Sequence, residues 1–319
     1  MARILVTGGA GFIGTNLVRH LLDAGDEVVV VDRLPTRRQR ANADLLAGEG
    51  AEVVVADLAA VDLVSLLRRA DGGTPDGIVH LAGQPGVQTS WSTGFAAHLD
   101  GNVGLAQRVL EAALEVGVPR VVMASSSSVY GDRGGWVAED GPLAPVSPYG
   151  ATKAAMELLA GTYAARGLSV VSLRYFTAYG RLQRPDMAIH RMLRAGLGGP
   201  PFPVRGAGRQ VRDFTHVDDV VAATAAALRA PLDPGTTINV GSGRPVSLDE
   251  LLAACEVALG HPVPTCRVPA TPGDPARTAA RIDRAAQLLG WAPRVPLADG
   301  LADQLRWQAG RALPVPLAS

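Results

Sequence analysis

The sequence predicts an α/β protein with a doubly wound parallel sheet and a second, smaller lobe. Short apolar runs alternate with amphipathic stretches over roughly the first 175 residues. Because these runs are continuously apolar, they suit strands that helices cover on both faces, as in a parallel sheet. After about residue 175 the texture changes to shorter helices between loops rich in glycine and proline. That change predicts the smaller lobe.

The predicted elements follow these runs. The strands cover 4–7, 27–31, 52–55, 77–81, 120–125 and 169–174, and the helical segments include 15–24, 103–116 and 148–165. We expect the chain to return from the smaller lobe to the first domain at about 217–240. The first domain then holds residues 1–175 plus about 217–245. The second is a discontinuous C-terminal lobe of about 176–216 plus 246–319.

Composition favours a small-molecule partner. The 319 residues are 47% hydrophobic, which is enough to bury one large core or two unequal lobes. The 30 Lys and Arg residues balance the 30 Asp and Glu residues, so no summed field draws the chain to nucleic acid or to an anionic membrane surface. We therefore expect neither a nucleic-acid nor a membrane partner.

Cysteine content and the length of the apolar segments bear on the compartment. Cys255 and Cys266 are the only cysteines, too few for a secreted disulfide scaffold or a zinc site. We expect both to be reduced core thiols, and we expect no metal. The first residues contain no long apolar stretch, and no later stretch approaches the length of a membrane span. A cytoplasmic location is the expectation.

A glycine-rich turn at residues 7–14 follows the first strand and opens the first helix. Gly8 permits the tight turn, Gly11 lets the backbone approach a pyrophosphate, and Gly14 lets helix and strand pack closely. The helix N-terminus offers free N–H groups to the phosphate. The valine run of the next strand ends in Asp32, at the distance where a carboxylate accepts the hydroxyls of an adenosine ribose. The pattern predicts a Rossmann-type dinucleotide site.

Asp32 also bears on the choice of cofactor. A carboxylate at this position would repel the 2'-phosphate of NADP, which favours NAD. The alternative is that nearby arginines bind that phosphate; these are Arg33, Arg37, Arg38 and Arg40.

A phenol and an ammonium stand four residues apart at Tyr149 and Lys153, hence on one face of a helix. Ser147 and Pro148 just ahead predict a helix start, with serine as the cap and proline in the first turn. A neighbouring ammonium and the positive ring of an oxidised nicotinamide would both favour the phenolate. Tyr149 then is a candidate general base, and Lys153 a ligand of the nicotinamide ribose.

Four serines end another predicted strand, at residues 125–128. Ligands of parallel sheets bind beyond the C-terminal ends of the strands. Together with the glycine-rich turn and the Tyr149/Lys153 pair, these hydroxyls predict one site rather than an ordinary polar turn.

The chain resembles the extended short-chain dehydrogenase/reductase family, the NAD-dependent epimerases and dehydratases. The resemblance covers essentially the whole chain. Its motifs are TGGAGFIG (7–14), HLAG (80–83), NVG (102–104), SSSSVYG (125–131), YGATK (149–153), RDFTHVDD (212–219), GD (273–274) and LLGW (288–291).

By this resemblance Ser126 completes the catalytic triad with Tyr149 and Lys153 and binds the sugar 4-oxygen. The resemblance further implies a cofactor site made of Gly8, Gly11, Phe12, Ile13, Gly14, Asp32, Asp57, Leu58, Leu81 and Ala82, with Tyr149 and Lys153. It implies that Arg212 contacts the UDP diphosphate and Asp274 the uridine ribose. It implies a homodimer formed through helices at about 94–115 and 151–166.

The residues after Ser126 narrow the reaction. Dehydratases of the family carry an Asp-Glu pair there, and decarboxylases that act on UDP-glucuronate carry a glutamate two residues on. This chain has Ser127 and Ser128 instead, so no acid is present to protonate a leaving hydroxyl or a carbanion. A redox inversion at C4 through a 4-keto sugar is the remaining reaction.

Within the family the chain is most similar to the UDP-glucuronate 4-epimerases. The features of that branch are Thr177 in RYFTAYG, Arg184 and Met187 in QRPDMA, and Pro85 in QPGVQTSW. Gln88 departs from the arginine usual in similar enzymes, and glutamine cannot pair bidentately with a carboxylate or phosphate. Arg184, Ser127 and Ser128 are the groups expected to hold the carboxylate.

Three other readings stay open from the sequence. The first is a UDP- or dTDP-hexose 4-epimerase that takes a neutral sugar, which Gln88 would suit. The second is a UDP-glucuronate decarboxylase. The third is a non-catalytic NAD-sensing regulator on the same fold, which the presence of both Tyr149 and Lys153 disfavours.

Overall fold

The computed structural model describes residues 1–68, 73–269 and 275–312. Residues 311 and 312 are described by their backbone alone. Its centre is a seven-stranded sheet in the order β3-β2-β1-β4-β5-β6-β11, and every pair of neighbours is parallel. The strands are β1 (Arg3–Thr7), β2 (Glu27–Asp32), β3 (Glu52–Val55), β4 (Gly77–His80), β5 (Val121–Ser126), β6 (Val170–Tyr175) and β11 (Thr237–Val240). The first six strands in this order form the Rossmann arrangement, so the predicted fold is confirmed.

Helices flank the sheet, and others pack among the segments that follow β6. They are α1 (Phe12–Asp23), α2 (Arg37–Gly48), α3 (Leu63–Leu67), α4 (Gly94–His98), α5 (Leu105–Val116), α6 (Pro148–Ala164), α7 (Ala188–Gly196), α8 (Val217–Arg229), α9 (Leu248–Leu259), α10 (Asp283–Leu289) and α11 (Leu297–Ala312). Further short strands pair with one another: β7 (Thr177–Tyr179) with β10 (Phe214–His216), β8 (Phe202–Arg205) with β13 (Thr265–Val268), and β9 (Val211–Arg212) with β12 (Val246–Ser247).

Two helix starts differ from the sequence prediction. The first helix begins at Phe12 rather than at residue 15, because Gly11 is its cap and the glycine turn leads straight into it. The helix predicted from residue 103 begins at Leu105, and the six residues before it, Leu99–Gly104, form a π-helical turn. Such wide turns occur mostly inside helices and often at functional sites.

Apolar clusters occupy both faces of the sheet. One cluster includes Val6, Val30, Val171 and Ile238 with the inner sides of α1 and α8, and the other includes Leu5, Ile78 and Val121 with α5 and α6. A third cluster lies between α7, α9 and α11. Successive residues of one strand thus serve opposite faces, which explains why the strands are apolar throughout.

Asp213 holds the junction between β9, β10 and the loop after β11. Its carboxylate accepts hydrogen bonds from the N–H and hydroxyl of Ser242 at 2.6 and 2.7 Å, and from the N–H groups of Gly243 and Ala280 at 3.1 Å each. The residue is fully buried, and burial raises the pKa of the carboxyl while these donors lower it. The Asp213 carboxylate thus joins the segments around residues 213, 242 and 280 where β11 ends.

Replacing Asp213 by alanine therefore leaves three backbone N–H groups buried without an acceptor. Each such group costs about 1–3 kcal/mol, so we expect Asp213→Ala to lower the free energy of unfolding by roughly 3–5 kcal/mol. Urea unfolding followed by circular dichroism measures the change. The control is Asp233→Ala, which removes an exposed carboxylate and should change the free energy little. Equal stability of the two variants would contradict this role.

Candidate active site

The glycine-rich turn forms a cradle between β1 and α1. Gly8 has a φ of +68°, and a Cβ atom there would stand 2.7 Å from the backbone nitrogen of Ala82. A Cβ atom on Gly14 would collide with the carbonyl oxygen of Gly8. Gly11 is the cap residue of α1, so the first N–H groups of that helix have no partner inside it. The cradle exists because these positions lack side chains.

Asp32, the last residue of β2, lies beside this cradle. Its carboxylate accepts the N–H groups of Ala10 at 3.2 Å and Leu34 at 3.0 Å. Two of the four arginines considered for a 2'-phosphate already have partners, because Arg38 and Arg40 donate to backbone carbonyl groups. The arrangement favours a ribose diol over a phosphate at this position.

The end of β4 forms a second wall of the cradle. The Thr7 hydroxyl lies 2.8 Å from Nδ1 of His80, and Thr7 also accepts the N–H of Leu81 at its carbonyl oxygen and the N–H of Ala82 at its hydroxyl. Burial, together with the charge of Lys153, lowers the pKa of His80 to about 3. His80 is therefore neutral, and it orients Thr7 rather than exchanging protons at physiological pH.

The remaining predicted cofactor residues border the same edge of the sheet. Phe12 is buried and Ile13 half-buried at the start of α1. After β3, Asp57 is exposed and accepts the N–H of Ala59 at 2.9 Å, whereas Leu58 is buried. These residues line the edge at which β1, β2 and β3 end.

Helix α6 carries the predicted Tyr149/Lys153 pair, and its start is as predicted. The Ser147 hydroxyl caps the helix by accepting the N–H of Gly150 at 3.1 Å, and Pro148 occupies the first turn. Tyr149 and Lys153 lie one turn apart on the side that faces the sheet. The Tyr149 ring packs edge-on against His98, with ring centres 5.8 Å apart.

The Lys153 side chain reaches the end of β5. Its Nζ donates to the carbonyl oxygen of Ala124 at 2.8 Å, and the residue is only 7% exposed. Burial lowers the pKa of Lys153 to about 8, and the Glu157 carboxylate opposes this decrease. The amine is therefore mostly charged at neutral pH but close to its titration range.

Burial dominates the titration of Tyr149. It raises the pKa of the phenol, and Ser126 and the Arg184 guanidinium lower it in part. The sequence predicts Lys153 as the cation that favours the phenolate, but the groups that shift this pKa do not include Lys153. The lysine ammonium is directed at Ala124, and Arg184 is the cation that acts on the phenol.

Ser126 is the last residue of β5 and is 8% exposed. Its hydroxyl accepts the N–H of Ser128 at 3.1 Å and donates to the Ser128 hydroxyl at 3.1 Å. A short 3₁₀ turn, Ser127–Tyr130, follows, so the serines leave the sheet and turn toward α6. Ser127 and Ser128 are half-buried, which leaves their hydroxyls open to a ligand.

The predicted substrate residues of the smaller lobe lie on the segment that follows β6. Thr177 begins β7 and is half-buried. Arg184 forms a bidentate ion pair with Asp186, with N···O distances of 3.0 and 2.9 Å. Met187 caps α7 and packs against the main apolar cluster. Because Arg184 acts on the Tyr149 phenol, the structure brings this segment to the same site as α6.

The loop after β4 contains the other sugar-binding candidates. Pro85 and Gln88 are both exposed. The sequence departure at Gln88 therefore concerns an exposed side chain at the start of a short 3₁₀ turn, Gln88–Ser90.

The predicted nucleotide residues can be placed only in part. Arg212 lies on β9 and donates to the carbonyl oxygens of Val211 and Ala276 at 2.9 and 3.4 Å. The returning chain bridges Val211 at Arg277, so residues 275–278 run alongside β9. Asp274 lies outside the described residues.

Sequence reasoning missed three residues that build the site. Asn102 lies in the π-helical turn, accepts the N–H of Gln84 at 2.9 Å and donates to the Thr152 hydroxyl at 3.0 Å, so it ties the loop after β4 to α6. His98 packs on Tyr149. Glu157 is buried behind Lys153. The NVG motif was a signal for Asn102, and the four-residue step from Lys153 was one for Glu157.

Three further expectations concern metal ligands, membrane-spanning helices and the two cysteines. Within residues 1–68, 73–269 and 275–312, no group of three His, Cys, Asp or Glu side chains is arranged to hold a metal ion. Across the same residues, no helix has both the length and the apolar character needed to cross a bilayer. Cys255 is buried as expected, but Cys266 is exposed, because it lies on β13 at the edge of a two-stranded sheet.

Comparisons with known proteins agree with this geometry. The model of the NAD dependent epimerase/dehydratase family matches residues 4–241. An uncharacterized UDP-glucose epimerase, YtcB of Bacillus subtilis, is 38% identical over 312 residues, which cover 96% of this chain and 97% of that protein.

Two solved structures are also similar. MoeE5, solved with NAD and UDP-glucuronic acid and also with NAD and UDP-glucose, is 42% identical in the first complex, with a TM-score of 0.89 over 98% of this chain and 100% of that one. A UDP-glucuronic acid 4-epimerase from Bacillus cereus, solved with NAD and UDP-4-deoxy-4-fluoro-glucuronic acid, is 35% identical, with a TM-score of 0.92 over 97% of this chain and 99% of that one. The chain therefore belongs to the NAD dependent epimerase/dehydratase family.

Proposed function

We propose that this enzyme interconverts UDP-glucuronic acid and UDP-galacturonic acid by inversion at C4, with NAD as a resident cofactor. The broader statement, an NAD-dependent UDP-sugar 4-epimerase, follows from its family and its similarity to such enzymes over nearly the whole chain. The observation that carries the proposal is the convergence of Tyr149, Lys153, Ser126 and Arg184 on one site without a carboxylate at positions 127 and 128.

The residues at the edge of the sheet fit NAD. Gly8 and Gly14 have no room for a Cβ atom, which keeps the turn tight, and the first N–H groups of α1 are available to a dinucleotide phosphate. Asp32 would accept the adenosine ribose hydroxyls, and Asp57, Leu58, Leu81 and Ala82 would flank the cofactor. When bound, NAD accepts a hydride from C4 of the sugar and returns it.

The chain's own residues move the proton. Tyr149 takes the proton of the C4 hydroxyl and returns it after inversion, and Ser126 binds the 4-oxygen throughout. Lys153 holds a charge beside the nicotinamide ribose, which adds to the stabilisation of the phenolate once the ribose is in place. The keto sugar turns about its diphosphate, which Arg212 anchors, while Asp274 binds the uridine ribose. Pro85, Gln88 and Met187 are the other proposed substrate contacts.

The uronate assignment concerns the sugar carboxylate. A 4-ketone is β to that carboxylate, so carbon dioxide is lost readily when the carboxylate stands perpendicular to the carbonyl plane. Ser127, Ser128 and Thr177 supply hydroxyl groups, and Arg184 supplies the charge, to hold it near that plane. A UDP-hexose 4-epimerase is the second candidate, because Gln88 brings no charge and Arg184 already has a partner in Asp186.

The proposed division into two domains gives these groups their places. The first domain, residues 1–175 plus about 217–245, would hold the cofactor and the catalytic triad. The smaller lobe would hold the UDP-sugar and would contribute Thr177, Arg184 and Arg212.

Incubation of the purified protein with UDP-glucuronate, followed by NMR, tests the assignment of UDP-glucuronate as the substrate. UDP-galacturonate is the expected product, and accumulation of UDP-xylose would contradict it.

Lysine usage supports a specific role for Lys153. It is the only lysine in the sequence, and every other basic residue counted with it is arginine. A guanidinium is larger and stays charged in proteins, whereas the pKa of a lysine amine shifts readily when the amine is buried. The lone exception to arginine therefore stands at the one position where a compact, titratable cation is required.

Tyr149→Phe removes the proposed base and nothing else. We expect epimerisation to fall by roughly 10²–10⁴-fold, which is the contribution of a general base. Bound NAD, measured after denaturation of the purified protein, should remain at the wild-type level. Retention of turnover would exclude Tyr149 as the base, and loss of NAD would make the variant uninformative about catalysis alone, so both are measured on the same sample.

Arg184→Ala removes the charge proposed for the carboxylate. A charge-assisted hydrogen bond contributes about 2 kcal/mol, so kcat/KM for UDP-glucuronate should fall roughly 30-fold. The value for UDP-glucose should fall less, by only the share that Arg184 contributes through the Tyr149 phenol. Arg19→Ala, which removes an exposed arginine paired with Glu49, is the matched control. An equal loss with both sugars would indicate that Arg184 does not select the carboxylate.

We also propose the homodimer that the resemblance implies. Exposed apolar side chains lie on its two expected helical segments, with Leu158 on α6 68% exposed and Phe95 on α4 41% exposed. Leu158→Asp should shift the light-scattering mass of the protein from two chains toward one, because a charge would be buried in the interface. Val257→Asp, at an exposed site on α9, is the control. A wild-type protein of one chain would overturn the proposal.

A further inference from the structure

A buried ion pair lies behind the catalytic helix. Glu157 on α6 and Arg174 on β6 are 6% and 5% exposed at their side chains. Two parallel hydrogen bonds join them, Nε to Oε1 at 2.9 Å and Nη2 to Oε2 at 2.7 Å. Such a pair is seldom more stabilising than apolar side chains of the same size. Stability alone therefore does not account for these two charges in the core.

The carboxylate of Glu157 is part of the contact between α6 and β5. Ser125 on β5 donates its hydroxyl to Glu157, and the preceding residue, Ala124, accepts Nζ of Lys153 at 2.8 Å. Lys153 and Glu157 are one helical turn apart, so successive turns of α6 bind successive residues of β5. The next residue of that strand is Ser126. The two contacts thus set where α6 stands relative to the catalytic serine.

Further bonds hold Arg174 in place. Its Nη1 donates to the Tyr130 hydroxyl at 2.7 Å and to the carbonyl oxygen of Glu139 at 3.1 Å. The Tyr130 hydroxyl donates in turn to Asn239 on β11 at 2.7 Å. The guanidinium therefore has its own acceptors on the side away from Glu157.

The groups around Lys153 include one carboxylate that opposes the effect of burial on the pKa of the amine. Glu157 raises the pKa of the amine from the same helix. From β4, His80 is neutral because burial lowers its pKa to about 3, and from α4, His98 also has a lowered pKa owing to burial. Tyr149 faces the same site one turn earlier. Glu157 thus supplies the negative charge near the ammonium.

We propose that Glu157 is a positioning residue, which with Ser125 and Arg174 seats α6 on β5 and keeps the amine of Lys153 in its charged form. The link to catalysis rests on the proposed function, in which that charge stabilises the Tyr149 phenolate. The protein without Glu157 would keep both catalytic side chains, but Lys153 would lose its proton at a lower pH than in the wild-type protein.

The lone lysine allows a direct measurement. Protein grown with lysine labelled with ¹³C at Cε gives a single lysine resonance, whose shift with pH reports the titration of Lys153 in the NAD-loaded protein. We expect Glu157→Gln to lower the titration midpoint by about one pH unit, since an opposite charge at close range shifts a pKa by 1–3 units. Glu157→Asp should restore part of the shift. Glu111→Gln, which removes a carboxylate bonded to Tyr163 at the far end of α6, should leave the midpoint unchanged.

A double variant separates this role from a structural one. Glu157→Gln alone leaves Arg174 buried without its partner and so destabilises the fold. Glu157→Gln with Arg174→Gln removes both charges and should recover thermal stability. The proposal expects the midpoint to stay about one pH unit low in the double variant. It also expects kcat, measured at a pH above both midpoints, to be roughly tenfold low with an unchanged KM. A wild-type midpoint or a wild-type kcat in the double variant would overturn it.

The titration is independent of turnover, so two failures are distinguishable. Absence of epimerisation by the wild-type protein would defeat the proposed function and leave the lysine titration intact. An unchanged lysine midpoint in an active enzyme would defeat only the role of Glu157.

Discussion

The site depends on the way in which a buried ammonium is held at the end of β5. Lys153 has lost almost all its contact with water, and it keeps its proton through the carbonyl oxygen of Ala124 and the charge of Glu157. The same contacts fix α6 on the sheet, so Tyr149 stands beside Ser126 at the edge where the strands end. A small slip of this helix would separate the phenol from the serine and from the cofactor cradle.

The cradle and the sugar side of the site use different physical means. On the cofactor side, glycines make room by the absence of side chains, and backbone N–H groups supply the charge complement. On the proposed sugar side, hydroxyl groups and one arginine are the candidate ligand contacts, and Arg184 already has a partner in Asp186. A sugar carboxylate would have to compete for that arginine, whereas a neutral sugar would leave the ion pair intact. This competition links substrate choice to a short exposed segment.

Local patterns predicted most of the fold and the placement of Tyr149 and Lys153 on one helix. The six predicted strands occur within one residue of their expected ends, because each is a continuous apolar run covered on both faces. The start of α6 was predictable since Ser147 and Pro148 are local signals. The Glu157–Arg174 pair was not, because it joins a helix to a strand 17 residues on, and both charges lie inside otherwise apolar segments. Cys266 was wrongly placed in the core, because nothing in its neighbours reveals an edge strand.

The central claim is that C4 gives up its hydrogen as a hydride and receives the same hydrogen back. UDP-glucuronate carrying deuterium at C4 tests this most directly, with the products of a reaction in ordinary water followed by NMR and mass spectrometry. The account predicts that UDP-galacturonate retains the deuterium at C4, because the hydride never exchanges with solvent. Replacement of that deuterium by hydrogen from water would contradict it.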